Sequence, residues 1–361
     1  MSNILLTPSM ITREALRILH QKLNFIGNIN RQYDKSFAQD GAKIGDTLRI
    51  RLPNEYSVRS GPTLSVQDTQ EQQVSLTVNN QKGVDTKFSS VDLTLSMDDF
   101  SDRILDPAMS VLAANIEADA MSMYKDVYNE VSDVGSAIAS ANNIQNVLKG
   151  SKKLTDSLTP SSMRTLNLNT QDNSDLVSSM IGLFNPNGNI SDQFKEGQVQ
   201  NRFLNYSKVY ENTMWPIHVT GTATDSEYLV DTAAGEANGS AGLLHIDTGT
   251  GTFKKGDVFF VTNVFRVHPE TKQNTGLLQQ FTVTADYVGG EGDLAISPNL
   301  VATGARQNVN ALAANNAPIL KRESDQTTVI PASADYGISI GFHRDAFTFA
   351  TVMLPDMPGV D

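Results

Sequence analysis

Cysteine is absent from the 361 residues of this chain, and several kinds of site are excluded with it. Disulfide frameworks, thiolate metal sites, iron–sulfur clusters and cysteine nucleophiles all need a thiol, so none of them can operate here. Only one tryptophan is present, and no apolar run approaches the ~20 residues of a membrane-spanning helix. We therefore expect no membrane partner and a fold that is stabilised by packing and association.

Positive charge is also scarce. The chain has 28 Lys and Arg residues against 40 Asp and Glu residues, a formal net charge of −12, and its basic residues do not cluster. Proteins that bind nucleic acid neutralise phosphates with clustered Lys and Arg. This balance argues against sequence-specific binding of nucleic acid.

Residues that could carry chemistry are present but scattered. The histidines, at positions 20, 218, 245, 268 and 343, show no metal-binding spacing, and each is interpreted as a surface or strand-end residue. The acidic residues around Asp98 and Asp99 fit a helix N-terminus better than a general acid. Segments rich in oxygen-bearing side chains or in glycine are interpreted as turns, and not as calcium-binding or phosphate-binding loops. We predict no catalytic residue, no cofactor-binding residue, no metal ligand and no enzymatic activity.

The first third of the chain alternates between helical and strand patterns. Apolar side chains recur at helical spacing over residues 9–26, which predicts an amphipathic N-terminal helix. Two segments with period-two alternation, 48–52 and 74–78, predict strands. Between them lies a polar excursion, residues 53–73, which is too rich in Gln, Ser, Thr, Pro and Gly to bury itself.

A long helix is predicted next. Apolar residues recur at steps of three and four from Leu105 to Val131, and Asp106 followed by Pro107 is a helix-start signal. The pattern predicts a helix of about 25 residues, roughly 37 Å long. Its outer face is expected to be acidic, with Asp99, Asp102, Glu117, Asp119, Asp126 and Glu130.

The remaining chain is mixed and then rich in strands. A second helix is predicted over residues 140–155, followed by short helices and strands to residue 215. Short strand patterns separated by turn signals then predict a compact β-barrel module that ends near Val329: LLHI, DVFFV, FTVTADYV and DLAIS. The final residues predict long strands of a different sheet, with a core strand at 347–354.

Three stretches carry a family resemblance. Each of them is typical of one protein family, and the order in which they occur strengthens the resemblance. They are residues 93–120 (LTLSMDDFSDRILDPAMSVLAANIEADA), 251–300 (beginning GTFKKGDVFFVTNVF) and 341–355 (GFHRDAFTFATVMLP). The chain resembles the major capsid proteins of tailed bacteriophages with the HK97 fold, and within them the P22-like coat proteins that carry an insertion domain.

The resemblance implies an α+β fold, the HK97-like capsid fold with an inserted β-barrel domain. Its segments would be an N-arm at 1–35, an E-loop hairpin at 43–82, a P-domain with the spine helix at 83–132, an A-domain at 133–221, the insertion domain at 222–329 and return strands of the A-domain at 330–361. Coat proteins of this family continue with further P-domain strands after this point, so we expect this chain to be either a shortened version or part of a longer protein.

The resemblance also implies a function. The chain would self-assemble, as hexamers and pentamers, into the icosahedral head shell that encloses the phage double-stranded DNA without sequence-specific binding. Scaffolding protein and portal protein would be partners, with a decoration protein as a further one, and the shell would be assembled in the bacterial cytoplasm. The alternatives are another virion protein or adhesin with a β-rich binding domain, and, less favoured, a carbohydrate-active enzyme.

Contacts between subunits are predicted from the family layout, in which the E-loop lies across the neighbouring spine. Our hypothesis pairs Arg49, Arg51 and Arg59 of the hairpin with Asp99, Asp102, Glu117 or Asp119 of the acidic helix. The alternative is that these arginines are solvated charges on an edge strand. No lysine lies between Lys43 and Lys82, so covalent cross-linking through the E-loop is not expected. Residues 231–242 are expected to form an unpacked loop that reaches a neighbour.

Overall fold

The structure is a computed structural model, and it describes residues 14, 23–31, 47–59, 61–64, 66, 71–78, 80–85, 101–132, 143–180, 203–233 and 236–351. For Asp102, Asn143 and Met180 it describes the backbone only. Within these residues the fold is α+β, and more segments are strands than helices. The mixed class predicted from the sequence is therefore confirmed.

The described helices are α1, Asp106–Met121, α2, Asn143–Asp156, and α3, Thr170–Met180. The strands are β1 Thr47–Leu52, β2 Gln72–Thr77, β3 Arg164–Leu168, β4 Lys208–Glu211, β5 Ile217–Val219, β6 Leu229–Val230, β7 Leu243–Asp247, β8 Val258–Val267, β9 Asn274–Val283, β10 Gly292–Ser297, β11 Ile319–Leu320, β12 Asp335–Gly337 and β13 Ile340–His343.

The chain divides into two compact units. The first comprises Met1–Leu52, Gln73–Ser122 and Arg344–Asp361, and the second comprises Pro53–Gln72 and Met123–His343. The predicted limits of the N-arm, E-loop, P-domain, A-domain and insertion domain stay predictions.

In the first unit, the described parts of both chain ends lie together. The backbone of Asn30 bonds Phe347 and Phe349 at 3.1 and 3.0 Å, and the rings of Phe25 and Phe347 are 5.6 Å apart. Residues 347–351 form only an isolated bridge, Asn30 with Thr348, so the core strand predicted there is wrong for its described part. Most of the predicted N-terminal helix lies outside the described residues.

Helix α1 is shorter than its apolar pattern predicts. The α-helix has 16 residues and ends at Met121, where a 3₁₀ turn, Ser122–Asp126, takes over. The Ser122 hydroxyl donates to the carbonyl of Asp119 at 2.6 Å, a local side-chain bond of the kind that competes with helix continuation. Residues 127–132 have no regular structure. The predicted α-helix of about 25 residues is therefore too long, although helical backbone of mixed type, beginning with a π-helical turn at Ser101–Leu105, continues to Asp126.

The second unit contains a small mixed sheet covered by helices. Strand β3 pairs antiparallel with β13 and parallel with β4, and every residue of β3 is buried. Leu166, Leu168 and Leu176 form a cluster against which Ile144 and Val147 of α2 pack. The helix predicted over 140–155 and the mixed region after it are confirmed, with α2 running to Asp156.

The same unit holds a six-stranded antiparallel sheet in the order β11-β8-β9-β10-β7-β6. Its two edge strands approach each other, because Leu229 of β6 bridges Pro318 and the Val230 amide donates to the Ala317 carbonyl at 2.9 Å. The sheet is thus a nearly closed barrel. The strand patterns LLHI, DVFFV, FTVTADYV and DLAIS all fall on or overlap its strands, so the β-barrel module is confirmed.

Aromatic and branched side chains fill the barrel. Phe259 and Phe281 are opposite each other on β8 and β9 with ring centroids 5.8 Å apart, and Phe253 lies 6.1 Å from Phe259. All three are essentially without solvent exposure. Alternate residues of each strand therefore point into a dry core, as in other small barrels.

The chain leaves the barrel beside the strand by which it enters. Strand β12 pairs antiparallel with β5, with Gly337 opposite Ile217 and Asp335 opposite Val219. The prediction that the final segment contributes strands to a different sheet is confirmed by β12 and β13, although both are short.

Candidate assembly surface

Strands β1 and β2 form a separate two-stranded sheet. In β1 the side chains of Leu48 and Ile50 are partly buried, whereas Arg49 and Arg51 are exposed. The Thr47 and Thr77 hydroxyls are 3.0 Å apart, which places the start of β1 beside the end of β2. The predicted alternation is confirmed for β1, whereas β2 forms where a strand was predicted but is exposed on both faces apart from half-buried Leu76.

The excursion that connects these strands, residues 53–71, is exposed wherever it is described, except for half-buried Asn54. Four large apolar side chains stand in solvent there: Tyr56 at 61% exposure, Val58 at 97%, Leu64 at 76% and Val66 at 82%. We refer to these four residues as the excursion patch. Large exposed apolar areas often mark interaction sites, so these four side chains, which lie within eleven residues of sequence, make the excursion a candidate contact surface.

Sequence reasoning described this excursion as polar and missed the patch. A signal was present, because Tyr56 and Val58 are two residues apart and Leu64 and Val66 are also two apart. In an extended chain such pairs lie on the same side. Their polar neighbours lowered the average hydropathy of the segment and concealed them.

Of the hairpin arginines, Arg59 already has local partners. Its guanidinium donates to the carbonyls of Gly61 and Thr63, the latter at 2.9 Å, and so it closes a turn of the excursion. Arg49 and Arg51 lie on exposed positions of β1. Their predicted pairing with acidic residues of another subunit stays a prediction.

Glu117 does not lie on an exposed acidic face, and that part of the expectation is wrong. Its side chain is fully buried, and its two carboxylate oxygens accept the backbone N–H groups of Phe25 at 2.7 Å and Asn24 at 3.0 Å. A carboxylate that accepts two amide protons fixes the segment which carries them. Glu117 is therefore engaged within its own subunit.

The other predicted acidic residues divide into described and undescribed ones. Asp119 is half-exposed and forms an ion pair with Lys82 at 2.5 Å. Asp99 lies outside the described residues, and only the backbone of Asp102 is described. Asp119 and Asp126 are thus the members of the predicted acidic face whose side chains are seen at the surface, and Asp126 forms an ion pair with Lys255 at 2.9 Å.

Residues 236–242 do not form the unpacked loop that was expected. Asn238 bridges Leu244, the amide of His245 donates to the Ala237 carbonyl at 2.8 Å, and the amide of Leu300 donates to the Gly239 carbonyl at 2.9 Å. Gly239 has φ +88°, and a Cβ there would lie 2.5 Å from Leu300 Cδ1. This half of the loop follows the barrel as an additional short segment.

A buried polar row connects three segments of the second unit. The imidazole of His218 bonds the Tyr124 hydroxyl at 3.0 Å through Nδ1 and the Asp257 carboxylate at 3.0 Å through Nε2. His218 is buried, so its interpretation as a surface or strand-end residue is wrong. Burial, assisted by Asp257, raises the pKa of Tyr124. The tyrosine hydroxyl therefore stays neutral and serves as a hydrogen-bonding group.

Glu130 lies close to this row. Burial raises its pKa to about 7, and electrostatic interactions with His218 and Lys153 oppose this rise. Its Oε1 atom is buried and has no hydrogen-bond partner among the described residues. The Lys153 ammonium donates to the Glu130 carbonyl at 2.6 Å and to Gln280, and burial lowers the pKa of Lys153 to about 8.

Among the described residues, one group of side chains could hold a metal ion: Glu236, His245 and Asp293. His245 Nδ1 is 2.7 Å from Asp293 Oδ1, and the Asp293 hydrogen bond raises the pKa of His245. These residues are far apart in sequence, so the search for short metal motifs could not find them.

In the described residues, every helix is too short or too polar to cross a bilayer. No family model matches the chain, and no curated protein matches it. Among solved structures, the chain is similar to one from Mycobacterium phage Che8, at 16% identity and a TM-score of 0.42, over 58% of this chain and 81% of that one. It is also similar to the CUS-3 coat protein I-domain, at 25% identity and a TM-score of 0.19, over 31% of this chain and 94% of that one.

Proposed function

We propose that this chain is a virion structural protein, the major capsid protein of a tailed bacteriophage, which self-assembles into an icosahedral head shell. Its partners are other copies of itself in hexamers and pentamers, a scaffolding protein, a portal protein and a decoration protein. The enclosed double-stranded DNA is held without sequence-specific contacts. The chain acts in the virion and has no enzymatic role.

The excursion patch is the observation that carries this proposal. A two-stranded hairpin is only marginally stable by itself, and an excursion with four exposed large apolar side chains gains stability when another molecule covers it. Covering one such side chain contributes about 1.5–3 kcal/mol. Four of them on every copy would offset part of the entropic cost of association.

The barrel supports the same function in a different way. Its core is complete within one subunit, so the barrel can be carried on a shell without needing a neighbour to fold. The segment at residues 251–300, which resembles P22-like coat proteins, contains strands β8 to β10 of this barrel. In the proposed shell, Arg49, Arg51 and Arg59 pair with Asp99, Asp102 or Asp119 of a neighbour, without Glu117.

The test compares two double charge substitutions in the full chain. Val58→Asp with Val66→Asp places charges in the excursion patch, and we expect sedimentable particles to fall at least tenfold while the far-ultraviolet circular dichroism stays unchanged. The control is Val288→Asp with Leu277→Asp, at exposed positions of the barrel region, which should assemble normally.

Electron microscopy of the unmodified protein gives the complementary result. Closed or aberrant shells support a capsid protein, whereas monodisperse trimers support the adhesin alternative. Equal assembly of both double variants would show that the excursion patch does not form the contact.

A further inference from the structure

The outer surface of the barrel carries a group of ligand-type side chains that the proposed function does not use. We propose that Glu236, His245 and Asp293 bind a divalent transition-metal ion of the Zn²⁺ type. All three residues belong to one subunit, so the site does not need a neighbouring copy.

Three neighbouring segments hold the three side chains in a row. His245 of β7 is directly opposite Asp293 of β10 in the antiparallel register. On the other side of β7, the segment that contains Glu236 is joined to the strand by the Asn238–Leu244 bridge and by the Ala237 carbonyl. The backbone that carries the three residues is therefore held in place by the barrel.

The distances suit one ion. His245 Nδ1 lies 2.7 Å from Asp293 Oδ1 and 3.7 Å from Glu236 Oε2, and all three ligand atoms lie within 4.8 Å of one another. An ion with bonds of about 2.0–2.2 Å to nitrogen and oxygen needs ligand atoms a little over 3 Å apart. Small side-chain rotations reach this spacing, because Glu236 and Asp293 are about half-exposed, with 47% and 49% exposure.

Charge and ligand type both favour such an ion. A further carboxylate, Glu291, lies 3.9 Å from His245 Nε2, so three carboxylates surround one imidazole and leave a surplus of negative charge. Imidazole with two carboxylates suits Zn²⁺ or Co²⁺ better than Mg²⁺ or Ca²⁺, which prefer oxygen ligands alone. A bound ion would connect the segment of residues 236–242 to two barrel strands through side chains as well as backbone.

Titration calorimetry on the chelator-treated full chain tests the site, with ZnCl₂ as probe and MgCl₂ as comparison. We expect one saturable Zn²⁺ site per chain and no comparable Mg²⁺ binding. His245→Ala should weaken Zn²⁺ binding by more than the roughly 10–100-fold that loss of an outer-shell partner costs. Asp293→Asn, which keeps the side-chain shape, should weaken it in the same direction.

The matched control is His268→Ala in the same barrel, where the imidazole accepts the amides of Glu270 and Thr271 at 3.2 Å instead of meeting carboxylates. This variant should bind Zn²⁺ as the unmodified chain does. Absence of a saturable Zn²⁺ site, or equal weakening by His245→Ala and His268→Ala, would overturn the proposal and leave only non-specific histidine binding.

Discussion

The barrel and the excursion between β1 and β2 differ in how far their apolar side chains are buried. The barrel places Phe259, Phe281 and their neighbours where solvent does not reach them, whereas the excursion leaves Val58 at 97% exposure. Both segments carry large apolar residues, so composition does not decide the outcome. The difference is that the barrel closes its sheet within one chain and the excursion has no second layer of its own. A single chain thus combines a part that buries its apolar side chains with a part whose described apolar side chains are exposed, and we propose that neighbouring copies cover the latter.

The largest expected effect is a loss of stability when a side chain of the barrel core is truncated. Phe259→Ala removes a ring packed between Phe253 and Phe281, and we expect a loss of about 3–5 kcal/mol in the free energy of unfolding. The fluorescence of Trp215, which is buried in the same unit, reports the transition in urea. Tyr56→Ala in the excursion patch is the aromatic control and should change the free energy of unfolding by less than about 0.5 kcal/mol. Similar losses in both variants would mean that the excursion is buried in the subunit.

The next largest loss of stability is expected from a substitution at Glu117, in the first unit. Glu117→Ala leaves the buried amide of Phe25 and the part-buried amide of Asn24 without their acceptor, which should cost about 2–4 kcal/mol. Hydrogen exchange measured by mass spectrometry should show faster exchange over residues 23–31. Asp119→Ala, at an exposed position of the same helix, is the control and should leave exchange in that segment unchanged. Unchanged protection in Glu117→Ala would show that the carboxylate does not fix the segment.

Glu130 should give a smaller, pH-dependent effect. Because its folded pKa of about 7 is above the ordinary value of 4.5, the folded protein binds more protons between these values than the unfolded chain does. The free energy of unfolding should therefore fall as pH rises from 5 to 7.5, and Glu130→Gln should reduce that fall by about 1–3 kcal/mol.

Urea unfolding followed by Trp215 fluorescence at several pH values measures this dependence. Glu270→Gln, at an exposed carboxyl of the same unit, is the control and should keep the pH profile of the unmodified chain. A profile that Glu130→Gln leaves unchanged would contradict the burial of this carboxyl group.

The sequence predicted those parts of the fold that local patterns determine. The strands at 243–247 and 292–297 alternate and are bounded by turns, and the structure contains both. The length of α1 was not predictable from its apolar residues, because the pattern continues to Val131 while the backbone tightens at Ser122. Periodicity reports which side chains share a face and does not report where a local hydrogen bond ends the helix.

The candidate site was predictable only in part, since its contacts join residues distant in sequence. Glu117 reads as one more acid on a charged helix, and only its bonds to residues 92 and 93 positions earlier show that it is buried. The group of Glu236, His245 and Asp293 depends in the same way on the pairing of β7 with β10. The arginine alternation of β1, which is a local property, was predicted correctly.

The pairing of β5 with β12 has a mechanical consequence. Ile217 and Gly337 are opposite each other, so the two ends of the barrel segment lie side by side at the open end of an antiparallel pair. A force that separates these ends acts along the interstrand hydrogen bonds, which are perpendicular to the strands, and loads them one after another. Such a load peels the pair apart at low force, whereas a load along the strands must shear all the bonds at once. A force applied at Ile217 and Gly337 is therefore expected to separate β5 from β12 before it opens the six-stranded sheet of the barrel.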